Sequence, residues 1–122
     1  MPKYKYDHVH LVSPAPEKTA EFYARTFGAA VGKTMNFPNG MQLVPVDLKG
    51  SRILISNAGS LPGVNGLEHF GVSTDNIDDA AKELKAQGVK FQLDITQLAP
   101  GVRIAFIWAP EKVLIELVED KS

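Results

Sequence analysis

His8-Val-His-Leu-Val-Ser13 aligns with His69-Phe-Gly-Val-Ser-Thr74 at an offset of 61 residues. This pair of stretches decides the fold. Each reads as a β-strand, each is followed by residues that break a strand, and each leads into a helical pattern closed by glycine. Working outward from the first, a strand over Tyr6–Ser13 ends at Pro14 and Pro16. A helix follows over Glu17–Phe27, with Ala20, Phe22, Tyr23 and Phe27 on its apolar face and Gly28 as its stop. Three strands come next, Ala30–Phe37, Met41–Leu48 and Arg52–Ser56, with turns at Pro38-Asn-Gly40 and Lys49-Gly50. Pro45 lies inside the second of these, which predicts an edge strand or a bulge. Working outward from the second stretch, the order returns. A strand over Leu67–Ser73 leads to a helix over Ile77–Gln87, capped by Thr74 or Asp75 and closed by Gly88. Strands over Val89–Ile95, Val102–Trp108 and Val113–Glu119 complete the chain.

Both halves therefore read β-α-β-β-β, an internal repeat. The closing strands, Ile53-Leu-Ile55 and Ile115-Glu-Leu117, match at an offset of 62, one residue of slip. The expected architecture is α+β, with two βαβββ modules related by an approximate two-fold that encloses a cleft. The expected boundaries are about 4–57 for module one, 58–65 for a linker and 66–120 for module two, all within a single domain spanning residues 1–122.

The 122 residues are 44% hydrophobic and 22% charged with net charge −1, ordinary values for a globular protein with its own core. No block of like charge argues for nucleic acid or an anionic membrane as partner, and no apolar run is long enough to span a bilayer. There is no cysteine, so disulfides, thiolate ligands and a cysteine nucleophile are excluded. The N-terminus, Met1-Pro-Lys-Tyr-Lys-Tyr6, lacks the apolar run of a signal peptide, so a cytoplasmic location is expected. Phosphate-binding glycine loops, nucleophile elbows and zinc-protease helices are also missing.

Three polar residues stand inside apolar strands: His8, His69 and, in Val113-Leu-Ile-Glu-Leu-Val118, Glu116. A carboxylate between Ile115 and Leu117 is costly to bury without a compensating charge or proton. Two readings follow. Each histidine could be an ordinary core residue with a satisfied hydrogen bond, or the two imidazoles and the carboxylate could together hold one divalent metal and leave positions open for substrate. The best local match to Glu116 in the first half is Leu54, so the second reading predicts three protein ligands. Alternation along the strand places His10 on the face of His8. There it could be a general acid or base, simply line the cleft, or replace His8 as a ligand. Arg52 and Arg103 are weaker candidates for holding a substrate carboxylate, and Phe70, Phe106, Trp108 and Met41 for apolar walls.

The chain resembles the vicinal-oxygen-chelate superfamily. His8-Val-His-Leu-Val12 followed by Glu17-Lys-Thr-Ala-Glu-Phe-Tyr23 and Phe27-Gly28 looks like the family's opening. Glu68-His-Phe-Gly-Val72 with Ile77-Asp-Asp-Ala-Ala-Lys-Glu-Leu84, and Ile104-Ala-Phe-Ile107 with Ile115-Glu-Leu-Val118, are similar to its second half. The superfamily includes glyoxalase I, bleomycin-resistance proteins, extradiol dioxygenases, methylmalonyl-CoA epimerase and fosfomycin-resistance transferases. The resemblance implies a cupped mixed sheet around a metal, with ligands at His8, His69 and Glu116 and His10 lining the cleft. It implies one divalent ion per site (iron, manganese, zinc, nickel or cobalt) acting on a small oxygen-bearing molecule, by a lyase, isomerase or dioxygenase reaction. It also implies a homodimer that can share sites between chains.

Three departures narrow this. Leu54 stands where glyoxalase I carries a fourth ligand. No basic cluster follows Glu116, against a phosphonate substrate of the fosfomycin type. Ala109-Pro-Glu-Lys112 replaces the usual Asp-Pro-Asp-Gly turn. The rival reading is a metal-free binding protein of the bleomycin-resistance type.

Overall fold

The computed structural model describes residues 2–122. Among them, nine strands and two α-helices follow the repeated order. The first half contains β1 (Tyr4–Val12), α1 (Pro16–Phe27), β2 (Ala30–Val31), β3 (Met35–Asn36), β4 (Gln42–Leu48) and β5 (Ser51–Ser56). The second contains β6 (Gly66–Thr74), α2 (Ile77–Ala86), β7 (Phe91–Ala99), β8 (Val102–Ala109) and β9 (Val113–Asp120). The class is α+β with mixed strand pairing, as the repeat predicts. Residues 8–68 form one compact unit; residues 69–122, with the segment before His8, form the other. No helix among the described residues is long and apolar enough to cross a membrane.

In the first unit the strand order is β2-β4-β5-β1. β1 runs parallel to β5, and β4 is antiparallel to β5, β2 and β3. Alternation sends Leu11, Val44, Val46 and Ile55 to one face, where they bury against Ala20 of α1. Burying each of the larger side chains contributes about 1.5–3 kcal/mol. Helix α1 begins with Pro16 in its first turn, where a missing N–H costs nothing. Ser13 Oγ accepts the Ala15 N–H at 3.1 Å and bonds Thr19 Oγ1 at 2.7 Å, securing the approach. Gly28, left-handed with φ 73°, ends the helix and returns its N–H to Ala24.

The expected strand over Ala30–Phe37 is instead two short pieces, β2 and β3, and Pro45 explains the break. β4 keeps unbroken register to β5, but on its other side the pairing shifts by one residue across Pro45, from Val31↔Val46 to Met35↔Leu43, so the irregularity expected there falls on that side. The gap at Gly32-Lys-Thr34 faces the proline, whose nitrogen has no proton to donate. Gly32 N–H still reaches the Pro45 carbonyl at 2.8 Å. A Cβ on Gly32 would come within 2.9 Å of the proline ring, so only glycine allows the approach.

In the second unit the order is β6-β9-β8-β7, with β6 parallel to β9 and the other pairs antiparallel. Ile77 of α2 buries against Ala105, Ile107 and Leu117, with Val72, Leu84 and Ile115 around them. Its N-cap is Asn76, one residue beyond the expected Thr74 or Asp75. Asn76 Oδ1 accepts the Asp79 N–H at 3.0 Å, while Thr74 Oγ1 instead accepts the Asn76 N–H. Asn76→Ala should therefore lower stability by about 1 kcal/mol, read as a shift in the urea midpoint with unchanged slope. Asp75→Ala should not cost a cap.

The turn before β9 is a single 3-10 turn at Pro110–Lys112, with Glu111 and Lys112 both left-handed (φ 64° and 59°). Lys112 occupies the place of glycine in the usual Asp-Pro-Asp-Gly turn, and for a residue with Cβ that conformation costs about 1 kcal/mol. Between the halves, the linker is held by Glu68, whose carboxylate accepts the N–H groups of Ser60 (2.8 Å) and Leu61 (3.0 Å).

Candidate metal centre

In each unit, one face of the sheet packs on a helix and the other carries the polar residues singled out above. On β1, Leu11 belongs to the helix side, so alternation places His8, His10 and Val12 on the opposite side. Both histidines are buried, at 2% and 7% exposure, with ring centroids 6.1 Å apart. His10 Nε2 lies 2.7 Å from Ser56 Oγ at the end of β5. Ser56 Oγ donates to the Ala58 carbonyl at 2.6 Å.

In the other unit, His69 on β6 and Glu116 on β9 meet: Nε2 and Oε1 are 3.4 Å apart, and both residues are buried. Phe106, opposite Glu116 in the β8–β9 register, presents its ring edge-to-face to His69 with centroids 5.0 Å apart. This apolar wall lowers the local dielectric, so the carboxylate needs a proton or a cation close by. The observed spacing suits a shared cation. Two ligand atoms each about 2.1 Å from one ion, at roughly 90–110°, lie about 3.0–3.4 Å apart. The donor set, imidazole nitrogen and carboxylate oxygen, suits several first-row divalent ions. His8, His10 and His69 are the three histidines of the chain, and each is a buried group able to ligate metal.

Strand register accounts for the one-residue slip in the repeat. In the first unit, His10, two residues past His8, pairs with Leu54. In the second, Gly71, two residues past His69, pairs with Glu116. Leu54 is thus the positional twin of Glu116, as the sequence match predicts, and the extra residue is absorbed before the closing strand.

Arg103, a candidate for holding a substrate carboxylate, is engaged by the fold itself. Its guanidinium is held by Asp78 (2.7 Å) and by buried Glu119 (3.0 Å). Glu119 also accepts the Ile77 N–H at 2.9 Å, so the cluster anchors the start of α2 to β8 and β9. Burial alone would raise the Glu119 carboxyl, but the Ile77 N–H and the Arg103 guanidinium outweigh it and hold its pKa below the ordinary value. Arg52 is exposed on β5. Of the expected apolar walls, Phe106 touches His69, whereas Phe70 stands beside Tyr6 (centroids 6.4 Å). The site residue that sequence reading missed is Ser56. Its only signal was its place two residues past Leu54, on the same strand face.

A model of the "Glyoxalase/Bleomycin resistance protein/Dioxygenase superfamily" matches residues 5–117. Among curated proteins, "Uncharacterized protein YwkD" of Bacillus subtilis (strain 168) is 23% identical, covering 92% of this chain and 94% of its own length. Among solved structures, the hypothetical protein BH1468 from Bacillus halodurans C-125 aligns with TM-score 0.80 and 20% identity over 98% of this chain and 96% of that one. Methylmalonyl-CoA epimerase from Mycobacterium tuberculosis aligns with TM-score 0.77 and 20% identity over 96% of this chain and 88% of that one. At these identities the structural likeness speaks for the fold.

Proposed function

This chain belongs to the glyoxalase/bleomycin resistance protein/dioxygenase superfamily, and from that premise we propose that it is a divalent-metal-dependent enzyme moving a proton on a small oxygen-bearing organic molecule. The proposed ligands are His8, His69 and Glu116. The observation that carries the reading is the buried pair of His69 and Glu116, with imidazole nitrogen and carboxylate oxygen at ligand spacing. His8 is added as the repeat twin of His69, at equivalent places on β1 and β6. When bound, the ion would supply Lewis-acid polarisation of the substrate oxygen.

The remaining work falls to this chain's own residues. His10, on the face of His8, is assigned to take a proton from the carbon next to the oxygen-bearing group and to return it. Phe106 keeps water from the His69–Glu116 pair. Leu54 offers no fourth ligand, which sets the chain apart from a glyoxalase I pattern. The likeness to an epimerase, whose name denotes inversion at carbon, favours the isomerase branch over oxygen-dependent cleavage. The protein is further proposed to act in the cytoplasm as a homodimer.

The test is elemental analysis of untagged protein purified without chelators, repeated on His69→Ala. About one divalent ion per site, lost in the variant, is the expected result. No metal bound, and none taken up from zinc, manganese, iron, nickel or cobalt, would overturn the reading in favour of a metal-free binding protein. Methylmalonyl-CoA is the first substrate to assay, by solvent-deuterium incorporation. Cleavage of a catechol with oxygen uptake would replace the isomerase reading.

A further inference from the structure

We propose that Ser56 is a positioning residue that holds His10 as the Nε2–H tautomer and so makes Nδ1 its basic nitrogen. The functional meaning rests on the role given to His10 above; the tautomer itself rests on hydrogen-bond chemistry. A serine hydroxyl has one proton. The Ala58 carbonyl can only accept, and it lies 2.6 Å from Ser56 Oγ, so that proton sits between them. With its proton spent, Ser56 Oγ can only accept from His10 at 2.7 Å, and Nε2 must be the donor. The opposite assignment would leave two oxygen lone pairs facing each other at 2.6 Å with nothing between.

The backbone of Ser56 is held by strands on both sides. Ser56 pairs with Val12 on β1 and Leu43 on β4, and its carbonyl accepts the Ser13 N–H at 2.8 Å. Ser56 is fully buried, so water does not compete for the hydroxyl. The second unit builds the same parallel strand pair without either partner. Gly71 stands in the place of His10, and Val118, opposite Ser73, in the place of Ser56. The fold therefore does not require this pair, and the first module alone carries it.

The consequence for chemistry is directional. A neutral His10 has its lone pair on Nδ1. When a substrate C–H bond breaks, the N–H bond forms at Nδ1 and the electron pair stays on the substrate. The Nε2–H···Oγ bond persists in both states, so the ring need not turn between taking and returning the proton.

Long-range proton–nitrogen NMR on uniformly 15N-labelled, chelator-treated protein at about pH 8.5, well above the ordinary histidine value of about 6.5, tests this directly. His10 signals are assigned by their loss in His10→Gln. The expected result is a protonated Nε2 and an unprotonated Nδ1 in the parent and in Ser56→Thr, with a mixture of tautomers in Ser56→Ala. An Nδ1–H tautomer in the parent, or a Ser56→Ala spectrum identical to the parent's, would overturn the proposal. The measurement uses neither bound metal nor turnover, so a failed metal analysis leaves it standing and its own failure leaves the metal reading standing.

Discussion

Glu116→Leu should abolish metal binding while leaving the metal-free fold at least as stable as the parent. The substitution copies the first unit, where Leu54 fills the equivalent register position and is itself buried. In the metal-free protein Glu116 is a buried side chain between Ile115 and Leu117, with His69 at 3.4 Å. Exchanging a buried polar partner for a well-packed leucine is commonly neutral or better. The parent, in zinc at about a hundredfold its Kd, should gain about 2.7 kcal/mol, or about 10 °C in Tm. The variant should gain less than about 1 °C, with its zinc-free melt unchanged or higher. A variant that still melts higher with zinc would remove Glu116 from the ligand set. A variant that fails to fold would make the carboxylate a structural group instead.

Arg103→Met should lower stability at pH 7 by about 1–3 kcal/mol, because it leaves the buried Glu119 carboxylate with the Ile77 N–H and Lys121, 3.8 Å away, as its remaining partners. The pH dependence identifies the cause. Glu119 has a folded pKa held below its ordinary 4.5. Its stabilisation is therefore complete above about pH 4.5 and is lost as pH falls through the folded value. Asp78 is lowered in the same direction by its hydrogen bond from Arg103, but it is exposed and contributes less. Urea midpoints of parent and variant should differ most at pH 7 and draw together as pH falls below 4.5. A gap of constant size across that range would assign the loss to packing of the arginine stem rather than to the carboxylate.

The two results address different parts of the second module. The first separates a residue kept for chemistry from one kept for the fold. The second concerns an arginine that the sequence offered as a weaker candidate for holding a substrate carboxylate and that anchors a helix. Arg103 and Glu116 both sit in strands with apolar neighbours, and nothing local tells them apart. Arg103 is assigned by finding its carboxylates on α2 and β9. The ligand role proposed for Glu116 is supported by the imidazole beside it on β6.

The amino-acid sequence by itself determined the repeated βαβββ order, both helices, the family, and the strands that carry His8, His10, His69 and Glu116. These are properties of period, punctuation and motif, which act over a few residues or repeat along the chain. Tertiary structure alone decided which of those residues meet. It divided the expected strand over Ala30–Phe37 opposite Pro45. It also placed the Ser56 hydroxyl on His10. Each of these outcomes depends on a partner distant in sequence or on backbone hydrogen bonds to a neighbouring segment. A strand's own residues specify its two faces, but not which neighbour it will find or in what register.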